Sequence, residues 1–547
     1  MDSSKQTTEN SRTVKTKLME EGRNTHGGLS GVVALLDHGD AIPITKDIME
    51  LAAANEGKGD RLMALFFEKR GDTIPVTEDV VKAAVQNMVK GDNLMALFFE
   101  KRGDTIPITE EIVKVAVRNT AIGDKLMVLF FEKQGDSIPI TEDVMKAAVQ
   151  NIGIGDQLIA FFFEKQGDAI PITEDIVKAA VRNTVNGDKM MALFFEKRGD
   201  AIPITEDIVK AAIRNTAIGD KMMALFFEKR GDAILITEDI VEAAIRNTAI
   251  GDKIIALFFE KRGDAIPITE DIVEAAVQNT VNGDKMMALF FEKRGDAIPI
   301  TEDIVKAAVR NSGNGDKLMT LFFEKRGDAI PITESVVKAA VQNTAKGDKL
   351  MALFLKKLRH QFPLTEDVMK VIVGDIHSAD RLVTLLFKNY DDKIALTQDI
   401  VEVAVLNEHK GDKVMSFLLD HQGEDILITE DILLLVARNV YRAEILMSVL
   451  IDRRGDQIRI TERVMVAVAQ NEQTGVQIAV SLLEKQGDNV PITPLVMETA
   501  IRNSRCGDQL MALFFEKQGD TISITEDVVK AATQDWRKGD QLMALFF

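Results

Sequence analysis

Apolar positions recur along this chain in two alternating arrangements. From Gly187 to Ile218, the dense run Met190-Met191-Ala192-Leu193-Phe194-Phe195 is followed, after a polar break, by the sparser set Ile208, Val209, Ala211, Ala212 and Ile213. The dense run would cover more than half the circumference of a helix, so it predicts a helix from about Asp188 to Arg198 that is buried on both sides. The sparser set leaves Glu206, Lys210 and Arg214 along one face at i, i+4 spacing. It predicts an amphipathic helix from Thr205 to about Asn215.

The same pair returns every 32 residues without insertion or deletion, giving sixteen complete units from 27 to 538 and a seventeenth cut at Phe547. A fixed period of this length marks units that bury their apolar faces only against their neighbours. The predicted fold is all-α: an α-solenoid of sixteen 32-residue helix-turn-helix repeats plus partial terminal units. Residues 1–26 read as a disordered tail with a degenerate N-terminal half-cap, and 27–547 as one solenoid domain. Within it, units 27–346 are near copies, units 347–506 diverge, and 507–547 return to the common pattern.

Punctuation residues support these boundaries. Asp188 is placed to cap the first helix, and Gly199 stands where a left-handed residue ends it. Pro203 holds the linker extended. Thr205, with Glu206 and Asp207 behind it, reads as the cap of the second helix. That Thr recurs in all sixteen units; the Asn ending the second helix recurs in fourteen, with Asp375 and Asp535 in the others. The Gly after the first helix also recurs in fourteen, with Arg359 and Asp391 in its place.

The formal charge of −19, with no basic tract longer than Lys356-Lys357-Leu358-Arg359, argues against nucleic acid as a partner. A single cysteine, Cys506, fits a reducing compartment. Apolar runs stop at about six residues, against the ~20 a bilayer requires, so no membrane partner is expected. The polar first 26 residues lack the apolar core of a signal peptide. The expected location is cytoplasmic, with the nucleus left open.

In one part, the spacing of Gly187 and Gly199 around Met191, Leu193 and Phe194-Phe195, the unit resembles an ankyrin repeat. It lacks the Thr-Pro-Leu-His tetrapeptide, and the linker from Gly199 to Thr205 is short for a protruding finger. The phrase Ile-Thr-Glu-Asp-Val-Val-Lys-Ala-Ala stands at 524–532, and at 140–148 with Met145 for the second Val. It resembles the degenerate ankyrin-like helical arrays of filamentous fungi, which often trail the nucleotide-binding domain of NACHT-type, immune-receptor-like proteins. The resemblance spans 27–547 and implies a protein-binding role. The chain carries no Gly-x-x-x-x-Gly-Lys-Ser/Thr loop for a nucleotide phosphate.

No catalytic constellation emerges. The six histidines are scattered without metal-ligand spacing, and the recurring Glu-Asp pairs form a ladder with layers ~8–10 Å apart, too far to share protons. No cofactor or metal is expected. Variation among near-identical copies concentrates in the loop between units: Met88-Val89-Lys90, Thr120-Ala121-Ile122, Thr184-Val185-Asn186, Ser312-Gly313-Asn314. Lys90, Ile122, Asn186 and Asn314 are therefore candidate interaction residues. His360, Tyr390 and Tyr441 of the divergent segment join them. The expected function is a protein-protein interaction scaffold. The alternative is an accessory enzyme or regulator of a fungal biosynthetic pathway, using a pocket in 347–506. Phe546-Phe547 ends the chain in mid-helix, which predicts end-to-end self-association there.

Overall fold

The computed structural model describes Thr16 and residues 44–390, 394–422, 424, 426–534 and 539–546. The tail and half-cap expected over 1–26, and Phe547, lie outside these apart from Thr16. The described residues hold thirty-two α-helices and no strand. They fall into two compact units, Met1–Ile268 and Thr269–Phe547, each a stack of helical layers.

One layer of the first unit shows how the sequence builds both. A twelve-residue helix, Gly187–Arg198, runs into a 3-10 turn, Gly199–Ala201, then an extended linker and a nine-residue helix, Glu206–Arg214. Long helices stack on the long helices of adjoining layers and short helices on short ones. The core forms between them, with Met190, Met191, Phe194, Phe195, Ile208, Val209, Ala212 and Ile213 all buried. Removing a Phe or Met side chain from water stabilises by roughly 1.5–3 kcal/mol. Neighbouring layers interlock through edge-to-face rings, as in Phe195 on Phe226 at 6.2 Å between centroids.

The long helix begins one residue earlier than its expected cap. Gly187 is already helical, and Asp188 sits in the first turn, accepting the Lys189 N–H at 3.0 Å. A glycine opens the helix because the chain passes very close there. A Cβ on Gly187 would lie 2.5 Å from both the Ala180 carbonyl oxygen and the Met222 methyl. Gly199 ends the helix at φ 50°, ψ −123°, a positive-φ conformation that glycine adopts at little cost.

Three polar columns tie layer to layer. In the first, the buried Asn215 amide donates to the Val181 and Asn183 carbonyls of the preceding layer, at 2.9 and 3.2 Å. Its oxygen accepts the Ala217 and Ile218 N–H groups at 3.2 and 3.3 Å, closing the turn that follows. In the second, the capping Thr173 accepts from the Ile176 N–H at 3.4 Å and donates to Glu142 of the layer before at 2.8 Å. In the third, Arg230 donates to the Asp200 and Ile202 carbonyls of the linker below while its guanidinium lies 5.8 Å over the Phe195 ring. The Asn215 amide, the Thr173 hydroxyl and the Arg230 terminal nitrogens thus each meet a partner about one repeat away, as buried polar groups generally require.

Candidate binding site

Across the near-identical units the three columns occupy the polar side chains between layers, and the exposed faces carry balanced charge. Lys210 lies 2.8 Å from both Glu206 and Asp239. Hydrogen bonding to Asp239 holds the Lys210 ammonium above its ordinary pKa, and the Asp239 carboxyl is correspondingly lowered. At the end of each long helix a Glu-Lys pair recurs, such as Glu228 and Lys229 at 2.8 Å.

The pattern breaks in the two layers spanning 347–410. The carboxylate held as Glu in nine successive units, Glu68 to Glu324, becomes Lys356 and then Lys388, and returns as Asp420. The Arg that reaches back to the linker below is replaced by Leu358 and then by Tyr390. Without that donor, the Phe362 carbonyl of the linker turns locally and accepts the Leu364 N–H at 2.8 Å. The helix-ending glycine becomes Arg359, the only non-glycine residue at positive φ among the described residues (φ 47°, ψ −117°). Backbone strain of this kind costs on the order of 1–3 kcal/mol and persists where the surroundings enforce it.

These substitutions open a cavity of about 520 Å³ lined by Ala352, Leu355, Lys356, Arg359, Leu385, Asn389 and Tyr390. Ala352, Leu355 and Leu385 form its apolar wall. Arg359 and Lys356 are exposed at its mouth, with Lys357 and Lys388 alongside in sequence, and Tyr390 is half-buried. None of these four cations makes an ion pair with a described residue. Asp391 and Asp392, which follow Tyr390, lie outside the described residues.

A second cavity, of about 1050 Å³, opens between Ala443–Arg454 and Gly475–Gln486, lined among others by Asp452, Gly455, Arg459, Lys485 and Gln486. Here Gly455 has helical dihedrals (φ −50°, ψ −39°) in place of the positive φ of its counterparts. Two of its charges are matched, since Lys485 pairs with Asp452 and holds its carboxyl below the ordinary range, as Arg453 does for Asp420 at 2.6 Å.

The residues singled out from the sequence divide by position. Ile122, Asn186 and Asn314 are buried. The Asn186 amide donates to the Ile152 carbonyl at 3.1 Å and the Asn314 amide to Asp284 at 3.0 Å, so these side chains point back into the stack. Lys90 is half-buried and lies 3.3 Å from Asp60. In the loop triplets the first two positions face solvent, with Met88, Val89 and Val185 exposed. Tyr441 is 67% exposed on such a loop, well away in sequence from the cavity Tyr390 lines. His360 lies in the 3-10 turn Arg359–Gln361 beside that cavity, and its side chain lies outside the described residues. Sequence reasoning missed Lys356, Arg359 and Lys388. The signal of the two lysines was a reversal of sign in one column of the 32-residue register, and that of Arg359 the loss of glycine from another.

A family described as a domain of unknown function (DUF7104) matches fifteen segments from 35–63 to 513–543, among them 193–223, 321–351 and 385–415. The chain belongs to this family. The matched segments follow one another closely except across 352–384, which none of them covers, and most of the cavity-lining residues fall in that interval. No curated protein matches the chain.

Among solved structures, the chain is similar to the pentatricopeptide repeat protein PPR10 in complex with an 18-nt psaJ RNA element (10% identity over 95% of this chain and 87% of that chain, TM-score 0.33). A triple cysteine-to-serine form of that complex aligns equally. The same protein from maize aligns over 97% of this chain and 83% of that one, at 10% identity and TM-score 0.27. The ankyrin likeness expected from the sequence is thus not what the comparisons find.

The exclusion of nucleic acid as a partner does not stand; two of these similar structures hold RNA, which is said of those proteins, and net charge is weak ground for the exclusion. The reason is physical: a charge of −19 is a sum over the whole chain, whereas binding responds to the local field. Residues 356–388 hold six Lys and Arg against four Asp and Glu. No helix of the described residues is long and apolar enough to cross a membrane.

Proposed function

We propose that this chain is a binding scaffold, a stack of interchangeable layers that carries a specialised recognition segment at 347–410. The reading is supported by one observation above others. In the same two layers the linker-binding Arg is lost, the carboxylate column changes sign, and a strained Arg359 stands where glycine is cheap. Drift alone would scatter such changes over the array. Stability is given up at one place, and cations and an aromatic ring are released there toward a cavity. A protein partner is the reading that the resemblance to fungal repeat arrays supports, with the solenoid as the recognition arm of a larger receptor-like assembly. Among the described residues no group of His, Cys, Asp or Glu is arranged to hold a metal, and no set of convergent groups favours the enzyme reading.

The test is affinity capture from the source organism, with bound protein and bound RNA both identified. The full chain is compared with a chain whose residues 347–410 are replaced by 187–250, which keeps the 32-residue register. A macromolecule held by the first and lost by the second supports the scaffold. Equal capture by both refutes recognition at 347–410.

A further inference from the structure

The cavity at 352–390 combines features that point to a ligand class. It is about 520 Å³ in volume, within the range of sites for small organic molecules. Its wall is aliphatic, its rim holds Arg359 and Lys356, and the Tyr390 ring lies against it. Lys357 and Lys388 add two further positive charges, and no described carboxylate pairs with any of the four. In the near-identical layers this position carries Glu, and its lysine neighbour is paired with that Glu. We infer that this cavity is a binding site for an organic phosphate of nucleotide size, with the phosphate on Arg359 and Lys356 and the apolar or aromatic body against Tyr390, Leu355 and Leu385.

The charge balance favours phosphate over carboxylate. The two cations on the rim, Lys356 and Arg359, neither paired with a described carboxylate, exceed what a carboxylate neutralises, while a phosphate monoester carries about −1.5 to −2 at pH 7 and three strong acceptor oxygens. A guanidinium fork matches two of those oxygens at once. The positive φ of Arg359 adds a structural reason. With φ 47° the chain leaves the helix in the direction its glycine counterparts take, so the arginine side chain is set at the helix end, one turn beyond Lys356 and at the cavity mouth. The family pattern lapses over this interval, 352–384, as expected where a layer is specialised. The inference rests on the scaffold reading for its location, and adds that the site itself takes a small anion.

The test uses the full chain and isothermal titration with adenosine 5′-monophosphate, adenosine, inorganic phosphate and a 12-nt single-stranded RNA. The comparison variant is Lys356→Glu with Arg359→Gly, which restores the common residues at both positions and relieves the backbone, so that folding is retained and is checked by circular dichroism. The expected result is one monophosphate bound per chain. Adenosine and inorganic phosphate should each bind at least tenfold more weakly, and the variant should lose at least tenfold in monophosphate affinity. No monophosphate binding at millimolar concentration, or equal binding by the variant, overturns the site. RNA binding more than tenfold tighter than the monophosphate and lost in the variant overturns the small-ligand reading in favour of a polymer. If the capture experiment finds a partner that depends on 347–410 while the monophosphate fails to bind, the scaffold stands and this inference falls.

Discussion

The layers 187–250 and 347–410 have the same length and register, and in both a long helix alternates with a nine-residue one; the long helices have twelve residues except Ala379–Asn389, which has eleven. They differ in what lies between the layers. In 187–250 the Arg230 guanidinium covers Phe195 and holds the linker carbonyls, and Gly199 and Gly231 end their helices without strain. In 347–410 Leu358 and Tyr390 leave the linker to bond within itself, and Arg359 takes the glycine conformation. Apolar burial survives the change, and the Asn column survives in one of the two layers, where Asn407 still reaches the Val373 and Asp375 carbonyls at 2.8 and 3.1 Å, while Asp375 replaces the Asn in the other. A solenoid can therefore spend one of its inter-layer columns on a site while the others keep the stack intact.

The largest effect is expected where both segments depend on the same column. Asn215→Ala removes two inter-layer hydrogen bonds and orphans two N–H groups, costing roughly 2–4 kcal/mol in urea unfolding. In the divergent segment, Asp375 keeps the turn, accepting the Ser378 N–H at 2.6 Å, but has no amide to donate backwards. Asp375→Asn should stabilise by about 1 kcal/mol.

Next comes the column that separates the segments. Arg230→Ala should cost about 1–2 kcal/mol through lost carbonyl hydrogen bonds and ring stacking. Tyr390→Arg should restore that column, raise the urea midpoint and abolish monophosphate binding by filling the cavity. A smaller contrast lies at the helix ends. Arg359→Gly should stabilise by roughly 1 kcal/mol, strain relief being partly offset by the greater freedom of an unfolded glycine. Gly231→Ala should destabilise by a similar amount.

The smallest effect is that of pH on the exposed ion pairs. Hydrogen bonding to Lys146, Lys178 and Lys306 lowers the pKa of Glu142, Glu174 and Glu302 below the ordinary 4.5. The unfolded chain then binds protons more readily than the folded one, so this contribution is complete above about pH 4.5 and fades as the pH falls through the lowered values. Melting temperature should be level from pH 6 to 8 and decline below pH 4.5, and 0.5 M salt should flatten the decline.

Much of this architecture was legible in the residues. The 32-residue period, the two helices and the glycine that ends the first follow from local pattern and steric preference. The recurrent Asn read as a helix-end residue, which is half its role. Its amide reaches a carbonyl 34 residues back, and a partner at that separation appears only once the layers are stacked. The start of the long helix moved from Asp188 to Gly187 because the glycine answers a close approach by the neighbouring layer, which no local cue reports.

The site was less legible. Ile122, Asn186 and Asn314 drew notice for their variability, but the turn points that position inward, and the two residues before it face solvent. Tyr390 was singled out as a rare aromatic, and it does line the cavity. Lys356 and Arg359 were visible as the longest basic tract. Their meaning depended on reading the column they interrupt rather than the stretch they sit in.

The most direct test of the account exchanges the two segments. Residues 347–410 placed at 187–250 of a chain whose own 347–410 have been replaced by the common layers should restore monophosphate binding, and capture of any partner dependent on that segment, to within about threefold of the full chain. Restoration would show that the broken column is sufficient to make the site. Binding that persists without 347–410, or that fails to follow the segment to its new place, would contradict the claim that recognition resides in these two layers.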